Sequence, residues 1–327
     1  MKTAAKIICV IAVVALSVMP TTAVAMRSSP DAEFERAMKK GAQARLEIRV
    51  VDDEGAPVSN ATVKVLFNML TPGGGEIVTV TTDTNGVAVA EGKTNDAIRY
   101  RVEKEGYYKS EEGMDMYNMS HRYDVKGGRW QPWGMQKEIV LRPIKNPVAI
   151  RTPVDWRWTR EANQWIGFDL EKSAFVSPYG DGQTTDFEIY FEWDGGLGRK
   201  YSGVVKKIRF PQKFSGGYYE DVCSFSSFKG AYSANPEAEY VTQFEFYEKE
   251  LRDPNTGIVK KRDFKGFDPG KVLVVHSRCK TDDQGNLTSA RYFQMSNLQF
   301  SCGEKGVALR CGIVYNPVEN DTNLEPK

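Results

Sequence analysis

The side chains that could do chemistry here are acids, aromatics and a few late cysteines. Histidine is nearly missing: His121 and His276 are the only two in 327 residues. No Gly-x-Ser-x-Gly turn occurs, so a Ser-His-Asp hydrolase has little to assemble from. His276 ends the apolar run Val272-Leu273-Val274-Val275 and is expected on the polar face of a strand. His121, beside Ser120, Arg122 and Tyr123, reads as part of a surface loop. Glycoside hydrolysis needs only two carboxylates. Glu188 and Glu192 share one face of a strand-like segment, about 13 Å apart at the usual rise, with Asp181 and Asp186 flanking it. That is too far for a catalytic pair without acids from other strands, and alternating acids ordinarily mark a solvated strand face. Three oxygen-rich segments, Asp52-Asp53-Glu54-Gly55, Asp83-Thr84-Asn85-Gly86 and Asp282-Asp283-Gln284-Gly285-Asn286, lack the twelve-residue spacing of an EF-hand. They read as tight turns. No Cys-x-x-Cys occurs to hold zinc. Neither a metal site nor a cofactor is expected, and no catalytic residue is assigned.

Residues 107–135 hold the densest irregular cluster. Tyr107, Tyr108, Tyr117, Tyr123, Trp130 and Trp133 lie there with Met114, Met116, Met119 and Met135, and Gly127-Gly128 and Pro132 argue against regular structure. Such aromatics either anchor a glycan or protein partner or pack inward, where Trp156, Trp158 and Trp165 follow to meet them. The six are candidate binding residues.

The first 25 residues have the three parts of a secretory signal. Lys2 and Lys6 are followed by an apolar run, Ile7 to Val18, and then by Ala23-Val24-Ala25. The run is short for a bilayer span, which takes about 20 residues, so cleavage after Ala25 is expected, with no membrane span afterwards. The localisation expected is exported: periplasmic, extracellular or at the cell surface. The whole chain has formal charge +1, and loss of two lysines and no acids leaves it near neutral. That gives no electrostatic case for nucleic acid. Cys223, Cys279, Cys302 and Cys311 remain, an even number that favours disulfides in an exported chain. Cys302 and Cys311 flank a plausible turn and would pair across a hairpin, leaving Cys223 for Cys279. Cys302 and Cys311 as reduced core residues are the alternative.

The elements that position these residues read as mostly β. Ser29-Pro30-Asp31 opens a short helix that stops at Gly41, so residues 26–43 are a helix or linker. Period-two alternation begins with Leu46, Ile48 and Val50. Further strands are expected at about 60–67, 77–81, 87–89, 98–102 and 137–141, enough for a sandwich. The segment Val50-Val51-Asp52-Asp53-Glu54-Gly55-Ala56-Pro57-Val58-Ser59-Asn60-Ala61-Thr62-Val63 carries a resemblance, with Thr82-Asp83-Thr84-Asn85-Gly86-Val87 and Tyr100-Arg101-Val102-Glu103-Lys104-Glu105-Gly106-Tyr107. Residues 44–146 resemble the carboxypeptidase regulatory-like domain, a transthyretin-type β-sandwich. The resemblance implies a folding, spacing or adhesive module without catalysis. Residues 107–137 form a longer insertion than that family suggests.

Asn146-Pro147 begins a link to a second β-rich unit, residues 147–327. Phe187, Ile189, Phe191 and Trp193 share one strand face, and later strands are expected at 204–210, 241–247, 272–278, 289–295 and 307–315. The tail from Asn316 to Glu325 resembles endings of uncharacterised exported bacterial proteins, which implies no activity. The reading is a transthyretin/Ig-like sandwich followed by a second β-rich domain. Its expected function is non-enzymatic binding or scaffolding at the cell envelope or surface, with a glycan or an envelope protein as partner. A carbohydrate-active enzyme or carbohydrate-binding subunit is the alternative.

Overall fold

The computed structural model describes residues 32–327 except 71–73, 119–121, 194–202, 224, 253–258 and 304–305. The signal segment and His121 lie outside the described residues. The protein is mostly β, in several antiparallel sheets with one short helix among the described residues.

The first unit is a two-sheet sandwich. In one sheet the strand Ala42–Val51 runs antiparallel to Val87–Thr94 and parallel to Met135–Val140. In the other the order is Glu76–Thr81, Thr62–Phe67, Ala97–Glu103, Ser110–Asp115. Alternation decides which side is buried: Leu46, Ile48 and Val50 from the first sheet meet Val63, Val65, Phe67, Ile98 and Val102 from the second. The helix Ala32–Lys40 belongs to this core. It buries Phe34 and Ala37, and Gly41, at φ 78°, ends it while its N–H bonds the Ala37 carbonyl. The strand that follows starts at Ala42, so residues 32–43, the described part of the segment read as helix or linker, belong to the sandwich.

The described residues of the insertion include regular strands, contrary to the expectation from its glycines and proline. Ser110–Asp115 pairs along Ala97–Glu103, and Asp124–Lys126 forms a hairpin with Arg129–Gln131. Gly127 and Gly128, at φ 57° and 72°, are the two turn residues. Two successive positive φ values are what a tight hairpin of this hand requires, and glycine supplies them without strain.

The second unit is also a sandwich. A five-stranded sheet has the order Ile150–Thr159, Gly306–Tyr315, Leu287–Gly303, Lys271–Thr281, Gly216–Asp221. A six-stranded sheet has the order Ala174–Phe175, Trp165–Asp169, Phe187–Trp193, Gly203–Arg209, Gln243–Arg252, Val259–Lys265. Phe168, Phe187, Ile189, Phe191 and Ile208 pack against Leu273, Val275, Phe293, Met295 and Leu309 between them. The outer face of the five-stranded sheet is covered as well: Val272, Val274 and Tyr292 lie under Ala234 and Leu324. A strand buried on both sides reads as a continuous apolar run, which explains Val272 to Val275.

Candidate functional site

The six candidate aromatics are dispersed. Trp130 is fully buried in the first core, where its Nε1–H donates to the Thr94 carbonyl at 2.9 Å and its ring meets Phe34 edge-on. Tyr123 packs against the same core. Tyr117 is 47% exposed, with its ring edge-on to Phe34. Trp133 is half-buried under the Arg129 guanidinium, 4.8 Å away. Trp156 pairs with Trp158, while Trp165 lies 5.3 Å from Tyr190 on the second unit. Trp130, Tyr117 and Tyr123 thus gather around Phe34 and the first core, while Tyr107 and Tyr108 lie at the junction of the two units.

That junction is a built polar interface. Tyr107–Tyr108 pairs with Arg142–Pro143. Tyr108 packs on Phe228, and its hydroxyl donates to Glu325 Oε1 at 3.1 Å and to the Pro326 carbonyl at 3.0 Å. Burial and then the Glu325 charge raise the Tyr108 pKa above its ordinary value. Glu325, buried near the C-terminus, accepts from the Lys145 and Asn146 backbone N–H groups at 2.7 and 2.5 Å. Arg142 is buried between the Phe228 and Tyr232 rings, 4.3 and 4.1 Å away, and donates to the Phe228 and Gly230 carbonyls. Beside this interface runs an open groove of about 810 Å³, lined by Asn60, Glu103, Lys104, Tyr107, Tyr108 and Lys109 among others. Lys104 sits 5.3 Å from the Tyr107 ring.

The acids are committed to structure. Glu188 pairs with Arg209 at 2.5 Å and Glu192 with Lys207 at 3.7 Å, both across neighbouring strands. Asp181 is exposed. Asp186 is fully buried and belongs to a network the sequence did not foreshadow. Arg278 reaches Asp186 at 3.0 Å, Asp169 at 2.9 Å and Glu171 at 2.6 Å, and Arg291 also contacts Glu171. Burial works against the Arg278 charge, but Asp186 first, then Glu171 and Asp169, outweigh it and raise its pKa. Burial likewise pushes the Asp169 pKa up. The backbone N–H groups of Lys172, Thr184 and Gln183, with Arg278, overcome this and leave it below the ordinary value. The three oxygen-rich segments are turns: Asp52, Asp83 and Asp282 each spend one carboxylate oxygen on two backbone N–H groups at 2.8–3.0 Å.

The expected cysteine pairing is not shown by the structure. Leu287–Gly303 and Gly306–Tyr315 do form a hairpin, but its register sets Cys302 against Val307, not Cys311. Cys311 is four residues further on, about 13 Å along the strand. It is a free thiol in the second core, and burial pushes its pKa up to about 12. Cys223 and Cys279 are also free and half-buried, and burial raises both thiol pKa values. His276 does not lie on a polar face. It is 7% exposed, stacked on Tyr240 with ring centroids 3.8 Å apart, and its Nε2 has no hydrogen-bond partner. Burial lowers its pKa, against a weaker opposing backbone hydrogen bond at Phe214.

No family model and no curated protein matches the chain. Among solved structures, a 3-chlorocatechol 1,2-dioxygenase from Rhodococcus opacus is similar at 12% identity and a TM-score of 0.26, over 32% of this chain and 61% of that one. A hydroxyquinol 1,2-dioxygenase from Pseudomonas putida is similar at 15% identity and a TM-score of 0.24, over 32% of this chain and 57% of its own length. A DUF3823 family protein from Parabacteroides merdae is similar at 8% identity and a TM-score of 0.21, over 85% of this chain and 97% of that one. The chain thus spans about three fifths of the dioxygenases. No helix among the described residues is long and apolar enough to cross a membrane.

Proposed function

We propose that the chain is an exported, non-catalytic binding or scaffolding protein of the cell envelope. The observation that carries this reading is the junction. Arg142, Tyr108, Tyr232 and Glu325 tie two sandwiches together through buried hydrogen bonds and ring contacts, an arrangement suited to presenting one continuous surface. The resemblance of the first unit to a carboxypeptidase regulatory-like module agrees with a spacing or adhesive role.

A carbohydrate-binding subunit is the second reading, favoured by the outer face of the six-stranded sheet. There Trp165 and Tyr190 form an aromatic pair flanked by Glu188, Arg209, Lys207 and Glu192. Aromatic area beside fixed donors and acceptors suits a sugar ring. A glycan array and an envelope-extract pull-down on residues 26–327 test both. The scaffold reading expects retention of a protein partner. The carbohydrate reading expects glycan binding lost in Trp165→Ala with Tyr190→Ala. Release of sugar from a panel of oligosaccharides would overturn the non-catalytic assignment.

A further inference from the structure

The four-stranded sheet of the first unit ends at two edges, and the protein treats them differently. At Ser110–Asp115 the second unit closes the edge. Ser110 bridges Ser226, the Glu111 N–H donates to the Phe225 carbonyl at 2.9 Å, and the Ser227 N–H donates to the Lys109 carbonyl at 2.8 Å. The opposite edge, Glu76–Thr81, pairs with Thr62–Phe67 on one side, and no described strand pairs on its other. Open edges are normally blunted by lysine, proline or a bulge. Glu-Ile-Val-Thr-Val-Thr has none of these, and its register runs unbroken from Phe67↔Glu76 to Thr62↔Thr81. Val78 and Val80 are held against the core, while Ile77 is 65% exposed on the outer face.

We propose that Glu76–Thr81 is the pairing edge of a symmetric antiparallel dimer formed with a second copy of this chain. A twofold axis makes one residue oppose its own counterpart. Centred on Thr79, it sets Val78 against Val80 and Ile77 against Thr81, and it leaves Glu76 outside the paired residues 77–81. Every opposed pair is then β-branched, the pairing that most favours strands. No charge meets a like charge. Centring on Val78 would instead bring Glu76 against Val80. The exposed Ile77 gains cover from the counterpart Thr81. Elsewhere the outer face is held by cross-strand ion pairs, Lys64–Glu103, Arg101–Glu111 and Arg99–Asp115. Its exposed apolar group therefore sits at the edge that the second copy would cover.

The test is sedimentation velocity on residues 26–327 over a range of concentrations, with amide exchange of residues 76–81 measured alongside. The expected result is reversible dimerisation with exchange in this strand slowing as concentration rises. Thr79→Lys sets two ammonium groups opposite each other and should weaken the dimer about fivefold. Thr79→Glu should act alike, and an equimolar mixture of the two should restore dimerisation, which a folding defect would not do. A wild-type protein that stays monomeric would overturn the proposal, as would a Thr79→Lys dimer of undiminished affinity. Because the readout is oligomeric state, its failure leaves the ligand-binding tests above untouched.

Discussion

Among the described residues of the second unit, Arg278 is the one cation that touches three acids, two of them almost wholly buried. It also adopts φ 56°, a left-handed conformation at a bulge in its strand. Substitution by alanine would confound charge with backbone, because residues other than glycine and asparagine are disfavoured there. Arg278→Asn keeps the tolerated backbone and removes the cation. Asp186 would then retain the Leu170 N–H and the Ser277 hydroxyl as donors, and Asp169 would retain three backbone N–H groups. Neither would have a counter-charge. Removing one partner of a buried pair ordinarily costs about 3–5 kcal/mol. Surviving backbone donors place the expectation near the lower limit, about 3 kcal/mol. Urea unfolding at neutral pH measures it, with amide exchange in Phe187–Trp193 locating the loss in the second unit. Adding Asp186→Asn to Arg278→Asn should recover part of the loss, since an uncharged amide needs no counter-ion. A cost below about 1 kcal/mol, the range of exposed pairs, would refute the reading of this network as a buried, mutually dependent set of charges.

His276 should make the second unit acid-sensitive. Its folded pKa is lowered, so the unfolded chain takes up the proton first. The stability tied to the neutral ring is complete above about pH 6.5 and is lost as pH falls through it, by at most about 1.4 kcal/mol per pH unit. His276→Phe, which keeps the stack on Tyr240, should flatten the wild-type slope of unfolding free energy between pH 7.5 and 5.5; equal slopes would count against it. Glu325→Ala should strip the acceptor from the Lys145 and Asn146 N–H groups and cost about 3 kcal/mol. Faster amide exchange at those two residues is the check.

Much of the first unit was legible because its strands are half-buried, so period-two alternation survives in the sequence. Val63 and Val65 turn inward while Lys64 turns out. The turns at Asp52, Asp83 and Asp282 were equally plain, since each is closed by its own side chain a few residues away. Residues 107–135 misled for a local reason. By composition Gly127-Gly128 reads as a break in regular structure, whereas two glycines at positive φ are what a tight hairpin consumes. Trp130 and Tyr108 carry similar side chains, yet one is the middle of a core and the other a junction. Nothing within a few residues of either separates the two roles.

The second unit shows where sequence distance becomes the obstacle. Six of its strands were visible as apolar segments, but the Arg278 network joins residues 169, 171, 186, 278 and 291, and only the sheet order brings them together. The cysteines failed on a finer point. The hairpin agrees with the expectation, but its register sets Gly303 opposite Gly306 and Cys302 opposite Val307, so the register alone decides whether two cysteines face each other. His276 failed on a third. Alternation assigns a residue to a face, not to what covers that face. Here the loop carrying Tyr240 covers the outer side of the five-stranded sheet. A histidine placed outward by its strand is thereby buried without a partner for Nε2. The same covering makes Val272–Val275 read as an unbroken apolar run, which is the one local trace that both sides of this strand are enclosed.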